Sequence, residues 1–197
     1  MQKTGVRIAK GILYVFGCIA AVILVVMLIR VGYETGLNSA NVNMIIKDAF
    51  AKRAQAVLMP QSYYTDREML EKLFTPRALA ADDVLKSNYY SAFEVTDYYQ
   101  NTDAEMKIVW PWLDEVTVKV TESVRDIAGT LIEQDESQQD EEAPKPIGWV
   151  NGVYEVTLRK DKLTGNWRIN SMELLGAIVF EEDDIDSEPV ENLDAAG

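Results

Sequence analysis

The side chains able to perform acid–base chemistry are few in this sequence. It contains no histidine and a single cysteine, Cys18, which excludes His-based catalytic triads and the usual His-containing zinc sites. Asp97 is the nearest candidate for a general base, because it alternates on one face of a predicted strand with Phe93 and Val95. A solvent-exposed carboxylate at the strand edge explains the same residue without any chemistry. We therefore expect no catalytic residue and a protein that is not an enzyme.

Metal and cofactor sites lack support as well. The pairs Asp82-Asp83 and Asp183-Asp184 could suggest calcium, but neither pair stands in a glycine-containing loop with oxygen ligands at alternate positions. Glycine-rich loops of the kind that cradle phosphates do not occur in the sequence. We expect these acids to be solvated, with no metal and no cofactor bound.

Aromatic side chains offer a different chemistry, namely contact with another protein. They occur in adjacent pairs beside predicted elements, and one ring of such a pair on a strand must face outward because successive side chains alternate. Trp112 follows Pro111, which interrupts a predicted strand. Exposed aromatic rings are favoured anchors of protein–protein interfaces, although these rings could instead fill the core or its rim. The predicted interaction residues are Trp110, Trp112, Tyr98, Tyr99, Tyr89 and Tyr90.

Residues 11–29 determine where such surfaces are displayed. These 19 residues carry no charge and no proline, and a helix of that length covers roughly 28 Å, close to the ~30 Å hydrocarbon core of a bilayer. A cleaved signal would have a shorter apolar run followed by small residues, whereas Arg30 and bulkier residues follow here. A lipoprotein signal at Cys18 would carry a small residue where Phe16 stands. We therefore predict a retained transmembrane helix over residues 11–30.

Basic residues near this segment predict its direction. Lys3, Arg7 and Lys10 precede it, whereas Arg30 alone follows it closely. Because basic residues stay on the cytoplasmic side, residues 1–10 form a predicted cytoplasmic tail. The predicted localisation is the cell membrane, with a single pass and an extracytoplasmic C-terminal domain.

The formal net charge of −13 is concentrated in two segments. Residues 133–142 hold six carboxylates, and residues 181–197 hold eight, with no basic residue in either. The rest of the chain has 18 acidic and 19 basic residues, which excludes the basic face that nucleic-acid binding needs. We predict a mobile acidic loop at 133–146 and a disordered acidic tail at 181–197. Because the single cysteine lies in the anchor, the outer domain has no disulfide, which favours a bacterial cell envelope.

Helical patterns come first in the chain. Residues 31–60 are predicted to be a short glycine-containing tether, 31–37, and then an amphipathic helix that begins at Asn38 or Ser39 and ends before Pro60. This helix packs on a sheet or, alternatively, extends the anchor as a dimerising coiled coil. A capping box predicts a second helix over 66–74, and a further helical piece covers 78–86.

Strand patterns follow, within a predicted extracytoplasmic domain of residues 61–180. Apolar and polar side chains alternate, with a turn at 101–103 and a hairpin loop at 161–166. Short connections imply antiparallel neighbours. The predicted fold class is α+β, with helices packed on a curved antiparallel sheet of four to six strands. The predicted strands span residues 93–99, 106–110, 116–124, 150–159 and 167–174.

The last hairpin carries a short motif, Gly165-Asn166-Trp167-Arg168-Ile169. It is similar to the last-strand pattern of the cystatin-like, nuclear-transport-factor-2-like superfamily, and the element order over about 60–179 resembles that superfamily too. The resemblance implies helices in the concave face of a bent sheet. Its enzymes use a pocket with an acid/base pair, usually Asp and His, from which this chain departs because it has no histidine.

The layout of one anchor before such a domain resembles VirB8-type components of conjugative secretion channels and similar Gram-positive transfer proteins. It equally resembles accessory membrane proteins of lipid-import systems. Those resemblances imply an envelope scaffold that binds other envelope proteins or further copies of itself. The alternative is a module that binds a small apolar or lipid-like ligand in a concave sheet pocket.

Overall fold

The computed structural model describes residues 2–59, 63–105, 107–132, 146 and 148–178. These residues form an α+β fold, as the sequence predicts. The predicted tail at 181–197 and all but Pro146 of the predicted loop at 133–146 lie outside the described residues. In chain order the elements are α1 (Gln2–Leu58), α2 (Tyr63–Leu73), α3 (Pro76–Ala81), α4 (Asp83–Lys86), β1 (Phe93–Ala104), β2 (Glu115–Leu131), β3 (Gly152–Lys160) and β4 (Trp167–Ala177).

α1 is one uninterrupted helix of 57 residues, about 85 Å long at 1.5 Å per residue. It contains a stretch long and apolar enough to cross a membrane, with a mean hydropathy of 2.6 and none of it buried against the rest of the chain. The second half of the same helix enters the core, where Val42, Ile46, Ala49 and Phe50 are buried. The helix ends at Leu58, two residues before Pro60 in the sequence.

The predicted tether at 31–37 and the predicted helix start at Asn38 or Ser39 are wrong, because α1 runs through both. The hydroxyl of Thr35 donates to the Val31 carbonyl at 2.7 Å, and that of Ser39 donates to the Thr35 carbonyl at 2.8 Å. Each bond joins residues one helical turn apart. The two glycines of this segment lower helix propensity by about 1 kcal/mol each, which is too little to break a helix that continues on both sides.

The four described strands form a curved antiparallel sheet in the order β1-β2-β3-β4. The predicted turn at 101–103 is wrong: Asn101, Thr102 and Asp103 continue β1 and pair with Ser123, Glu122 and Thr121 of β2. The predicted strand at 106–110 is also wrong, since residues 107–110 belong to an irregular loop. The 17-residue β2 offers ladder partners to ten of the twelve residues of β1, including 101–103, so cross-strand pairing overrides the turn-like composition.

The hairpin predicted at 161–166 is present between β3 and β4. One carboxylate oxygen of Asp161 accepts the backbone N–H groups of Leu163 at 2.8 Å and Thr164 at 3.2 Å. These donors hold the pKa of the Asp161 carboxyl below its usual range. Gly165 has φ +73°, a conformation that costs side-chain-bearing residues energy.

The two ends of the sheet lie beside different parts of α1. At one end, which we call the proximal end, the backbone N–H of Val109 donates to the Ser39 hydroxyl at 3.0 Å. At the other, the distal end, Leu58 belongs to a buried cluster with Tyr90 and Trp149. The loops of residues 105–114 and 161–166 therefore lie at the proximal end. Residues 87–92, 132, 148–151 and 178 lie at the distal end.

Candidate functional site

One positively and two negatively charged side chains meet inside the domain. Arg53 of α1 contacts Asp82 through two hydrogen bonds, Nε to Oδ2 at 2.7 Å and Nη2 to Oδ1 at 3.3 Å. Its Nη1 donates to Glu122 Oε2 at 3.0 Å. The side chains are 2%, 4% and 0% exposed, respectively. We call Arg53, Asp82 and Glu122 the buried charged network.

Each member is placed by a different element. Arg53 occupies a core-facing position of α1. Asp82 separates α3 from α4, and its Oδ1 caps α4 by accepting the N–H groups of Val84 at 3.0 Å and Leu85 at 3.3 Å. Glu122 lies in the middle of β2. The network therefore joins α1, the α3–α4 junction and the sheet.

Neighbouring polar and aromatic groups complete the network. Glu122 also accepts from Trp149 Nε1 at 3.2 Å and from Gln100 Nε2 at 3.3 Å, and Gln100 Nε2 reaches the Phe50 carbonyl at 3.0 Å. The Arg53 guanidinium lies 5.5 Å from the centroid of the Trp149 ring and 5.7 Å from that of Tyr154, within cation–π range.

Burial and neighbouring charges have opposite effects on the pKa values of Arg53 and Glu122. Burial alone would lower the pKa of Arg53, but the carboxylates of Glu122 and Asp82 outweigh burial and raise that pKa above its ordinary range. Burial raises the pKa of the Glu122 carboxyl, and the Arg53 charge opposes the rise only in part. One guanidinium thus serves two buried carboxylates, so one negative charge is left uncompensated when both are ionised.

The network is better placed to hold the fold together than to react. A cavity of about 230 Å³ opens onto Arg53, Asp82 and Tyr154, but Glu122 does not line it. The Asp82 carboxylate is occupied by the guanidinium and two backbone N–H groups. A general base needs a free lone pair within reach of a substrate proton. The geometry instead fixes α1 to the domain at its centre.

The sequence contained a signal for two of these residues. Arg53 lies at helical spacing from the buried residues Ile46, Phe50 and Val57. Glu122 continues the alternating inward series of Val116, Val118 and Val120. A charged residue at an inward position of a helix, together with another at an inward position of a strand, predicts a buried pair. No comparable sequence pattern predicts that Asp82 is buried, because its position beside Arg53 depends on the folded path of the chain between α1 and α4.

The residues considered for acid–base or calcium chemistry have other roles. Asp97 is exposed and accepts its hydrogen bond from the following backbone N–H, that of Tyr98, at 2.9 Å. Asp83 contacts Lys86 at 3.2 Å, while Asp82 belongs to the buried charged network. Asp183 and Asp184 lie outside the described residues. In the part of the chain that the structure describes, no cluster of acidic or cysteine side chains could hold a metal ion.

The structure separates the six predicted interaction residues into three places. Tyr89 and Tyr90 lie at the distal end, where Tyr89 is exposed and buried Tyr90 stacks on Trp149 with ring centroids 6.5 Å apart. Tyr98 and Tyr99 lie on β1; Tyr98 packs against the distal core cluster, and the Arg125 guanidinium lies 5.4 Å from the Tyr99 ring centroid. Trp110 and Trp112 lie in the proximal loop.

The distal end contains an apolar depression of about 250 Å³, which we call the distal groove. Two of its residues, Tyr89 and Val150, are 66% and 58% exposed. Sequence reasoning identified its two tyrosines but missed Trp149, because the preceding acidic segment obscured any periodicity around it. The groove is lined by Val84, Ser87, Tyr89, Tyr90, Gly148, Trp149 and Val150.

A larger cavity of about 500 Å³ lies among α2, α3, α4 and the start of β4; we call it the helical-layer cavity. Its floor is apolar and includes Leu70 and Phe74, and three basic side chains, Arg67, Lys86 and Arg168, stand around it. The sequence offers a concave pocket on the sheet as an alternative site. The cavity of about 230 Å³ lies on that face, between Tyr154 and Met172 of the sheet and the Arg53 and Asp82 side chains, while Phe50 of α1 packs on the same face.

Comparison with protein-family models, curated proteins and solved structures returned no match.

Proposed function

We propose that this chain is a single-pass membrane protein of a bacterial cell envelope whose outer domain binds protein partners through the distal groove. The observation that carries the proposal is the distal groove itself, an apolar surface on which Tyr89 and Val150 are each more than half exposed. The groove lies at the end of the domain farthest from the apolar segment of α1. Exposed aromatic and aliphatic side chains around a concave surface are typical of protein-binding sites.

The anchor is supported by the length, composition and exposure of the first half of α1. The same helix continues from the apolar segment into the core at Val42, so a retained anchor would be joined directly to the domain. The excess of basic residues before the apolar segment supports a cytoplasmic N-terminus. In this orientation the distal groove faces away from the bilayer, where another envelope protein can reach it.

Charge defines the partner. The acidic segment of residues 133–142 joins the described chain at Ile132 and Gly148, and the acidic segment of residues 181–197 follows Ile178. Ile132 N donates to Ala92 O at 3.0 Å, and Ile178 N donates to Asn151 O at 2.8 Å, so both segments are connected to the distal end. The expected partner presents an apolar side chain to the groove and basic residues around it, because opposite charges steer association.

The scaffold interpretation follows from how the domain is held. The buried charged network fixes α1 to the α3–α4 junction and to β2, so the groove is displayed at a defined position relative to the anchor. A fixed display surface without an open reactive site suits a structural subunit of a secretion- or conjugation-type machine. The nuclear-transport-factor-2-like fold proposed from the element order and the Gly165–Ile169 motif agrees with this role.

Site-specific photo-crosslinking in membranes tests the proposal with the full-length chain. A photoreactive residue is placed at Tyr89 or at Val150, and at Leu163 as the matched control, since Leu163 is an exposed apolar residue at the opposite end. We expect discrete protein adducts from positions 89 and 150 and none from 163. Neutralising the six carboxylates of residues 133–142 should weaken the adducts. Adducts that are equal at all three positions, or absent from 89 and 150, would refute the proposal.

A second function, binding of a lipid-like ligand, is favoured by the helical-layer cavity. Its apolar floor and basic rim fit an acyl chain with an anionic headgroup, although Arg67, Lys86 and Arg168 are each paired with an acidic side chain. Native mass spectrometry of the full-length chain from mild detergent measures this directly. A bound mass that disappears in Leu79→Trp, which fills the cavity, would support the ligand function, and an empty cavity in every preparation would rule it out.

A further inference from the structure

The proximal end of the domain exposes large apolar side chains on two separate loops. In the loop of residues 105–114, Ile108, Trp110 and Trp112 are 67%, 42% and 66% exposed. Leu163 at the tip of the β3–β4 hairpin is 97% exposed. The two tryptophan rings stack in parallel, with centroids 5.2 Å apart and planes inclined by 8°. We call these four side chains the proximal surface.

Backbone contacts place the two loops side by side. The N–H of Lys160, which immediately precedes the hairpin, donates to the carbonyl of Asp114 at 2.8 Å. The N–H of Val109, between the exposed Ile108 and Trp110, donates to Ser39 of α1 at 3.0 Å. The two loops are therefore neighbours at the proximal end, and the first of them is bonded to a known position on α1.

That position determines the distance to the bilayer. Ser39 is nine residues beyond Arg30, where the apolar segment ends, which is about 14 Å along a helix. The headgroup layer extends about 5–7 Å beyond the hydrocarbon, so Val109 lies within about 10 Å of that layer. A helix tilt of about 20°, the average for membrane spans, would bring the proximal surface closer still if the helix tilts toward it.

The chemistry of the proximal surface matches a lipid interface. Tryptophan prefers the headgroup region, because its ring is apolar and its indole N–H is polar. Exposed Lys107 and Lys162 flank the apolar side chains, and lysine near a bilayer is attracted to anionic lipids. Of the three acidic side chains in these two loops, Glu105 and Asp161 pair with Lys119 and Arg168, and Asp114 is exposed. Both strongly acidic segments of the chain are connected to the opposite end.

We propose that the proximal surface docks into the headgroup layer of the bilayer that α1 spans. The domain then touches the membrane through Ile108, Trp110, Trp112 and Leu163 as well as through its anchor. The inference rests on the proposed anchor and adds a second, peripheral membrane contact to it. Trp110 and Trp112, predicted from sequence as protein-contact residues, thereby become lipid-contact residues, whereas Tyr89 and Tyr90 remain with the distal groove.

Tryptophan fluorescence of the full-length chain in nanodiscs tests this docking. The discs contain phosphatidylglycerol and phosphatidylcholine, with acyl chains either plain or brominated close to the glycerol, since bromine quenches only nearby indoles. The other two tryptophans, Trp149 and Trp167, are buried in the domain. We expect brominated discs to quench the wild-type emission and to leave the Trp110→Phe/Trp112→Phe double variant nearly unchanged.

The outcomes separate this inference from the proposed anchor. Co-elution of the chain with the discs reports on the anchor, and bromine quenching reports on the docking. Co-elution with equal wild-type emission in plain and brominated discs overturns the docking alone, whereas failure to co-elute overturns both. Loss of quenching in Leu163→Ser, an exposed site whose change should not affect folding, would give independent support. If quenching is absent while Trp112 crosslinks to a second copy of the chain, the surface is a protein interface.

Discussion

Within the described residues, Arg53 is the one positive charge that contacts the two buried carboxylates, and its removal leaves both uncompensated. We expect Arg53→Met to lower the free energy of unfolding by about 3–5 kcal/mol, the usual effect of breaking a buried ion pair on one side. Denaturant titration of the full-length chain in detergent, followed by tryptophan fluorescence, measures the change.

The matched control for Arg53 is Arg67→Met, which removes an arginine from a pair with Glu71 whose side chains are 63% and 57% exposed. Exposed pairs contribute about 0–1 kcal/mol, so this variant should remain close to wild type. Equal effects of the two substitutions would show that the buried charged network does not stabilise the fold.

Glu122 predicts a dependence of stability on pH. Burial raises the pKa of its carboxyl above the ordinary value of 4.5, so the folded state binds a proton more tightly than the unfolded state. The stability of the wild type relative to Glu122→Gln should therefore fall as pH rises from about 4.5 through the raised pKa. Paired denaturant titrations over that range check the slope. A difference that grows in favour of the wild type with rising pH would instead indicate a lowered pKa.

Single residues also mark the limits of sequence reasoning. The inward positions of Arg53 and Glu122 follow from periods of 3.6 and 2 residues, but charged residues are assigned to solvent unless a partner can be named. Their partner Asp82 is 29 positions from Arg53, and only the folded path of α2 and α3 brings the two together. The buried positions of Arg53 and Glu122 were therefore predictable from the sequence, whereas their contact with Asp82 was not.

Between β1 and β2, one glycine allows a close approach of the two strands. A Cβ at Gly129 would lie 2.8 Å from the carbonyl oxygen of Glu94 and 3.0 Å from the Cα of Val95, beside the irregularity in β1 register. Backbone atoms cannot move aside as a side chain can, so Gly129→Ala should cost about 1–3 kcal/mol.

Gly176→Ala is the control at the element scale, because a Cβ at this position of β4 would meet nothing within 4 Å. Its expected effect on the free energy of unfolding is small, and chemical denaturation compares the two variants directly. A loss at Gly176 as large as that at Gly129 would mean that strand flexibility, rather than crowding, explains the result.

Elements with a clear period were predictable, and those that depend on their neighbours were not. β2, β3, β4 and the 161–166 hairpin follow from alternation and turn composition. The glycines at 32 and 36 favour a tether by composition, although a helix can carry two glycines when it continues on both sides of them. The polar run at 101–103 became strand because β2 supplied its hydrogen-bonding partners.

For the molecule as a whole, the proposed anchor makes the length of α1 between the apolar segment and Ser39 the determinant of the domain's height above the bilayer. Inserting one helical heptad between Gly36 and Leu37 raises the domain by about 10 Å and leaves its facing direction within about 20° of the original. We expect bromine quenching of Trp110 and Trp112 to be lost in this variant.

The companion variant Gly32→Ala/Gly36→Ala strengthens the helix at unchanged length, and a Cβ at either glycine would meet nothing within 4 Å. It should retain the quenching of the wild type. If the heptad insertion also retained it, the segment between the anchor and Ser39 would have to bend, contrary to the continuous α1.

Because α1 includes both the apolar segment and part of the domain core, it can transmit force along its length. The buried charged network fixes α1 to the domain near its C-terminal end, and the described part of α1 contains no break between Gln2 and Leu58. In the proposed membrane orientation, a partner that pulls on the distal groove would load the buried charged network first. Because α1 is continuous, the force would then pass along the helix to its N-terminal residues on the other side of the bilayer. Under this proposal, strain outside the cell reaches its interior without any change in the fold.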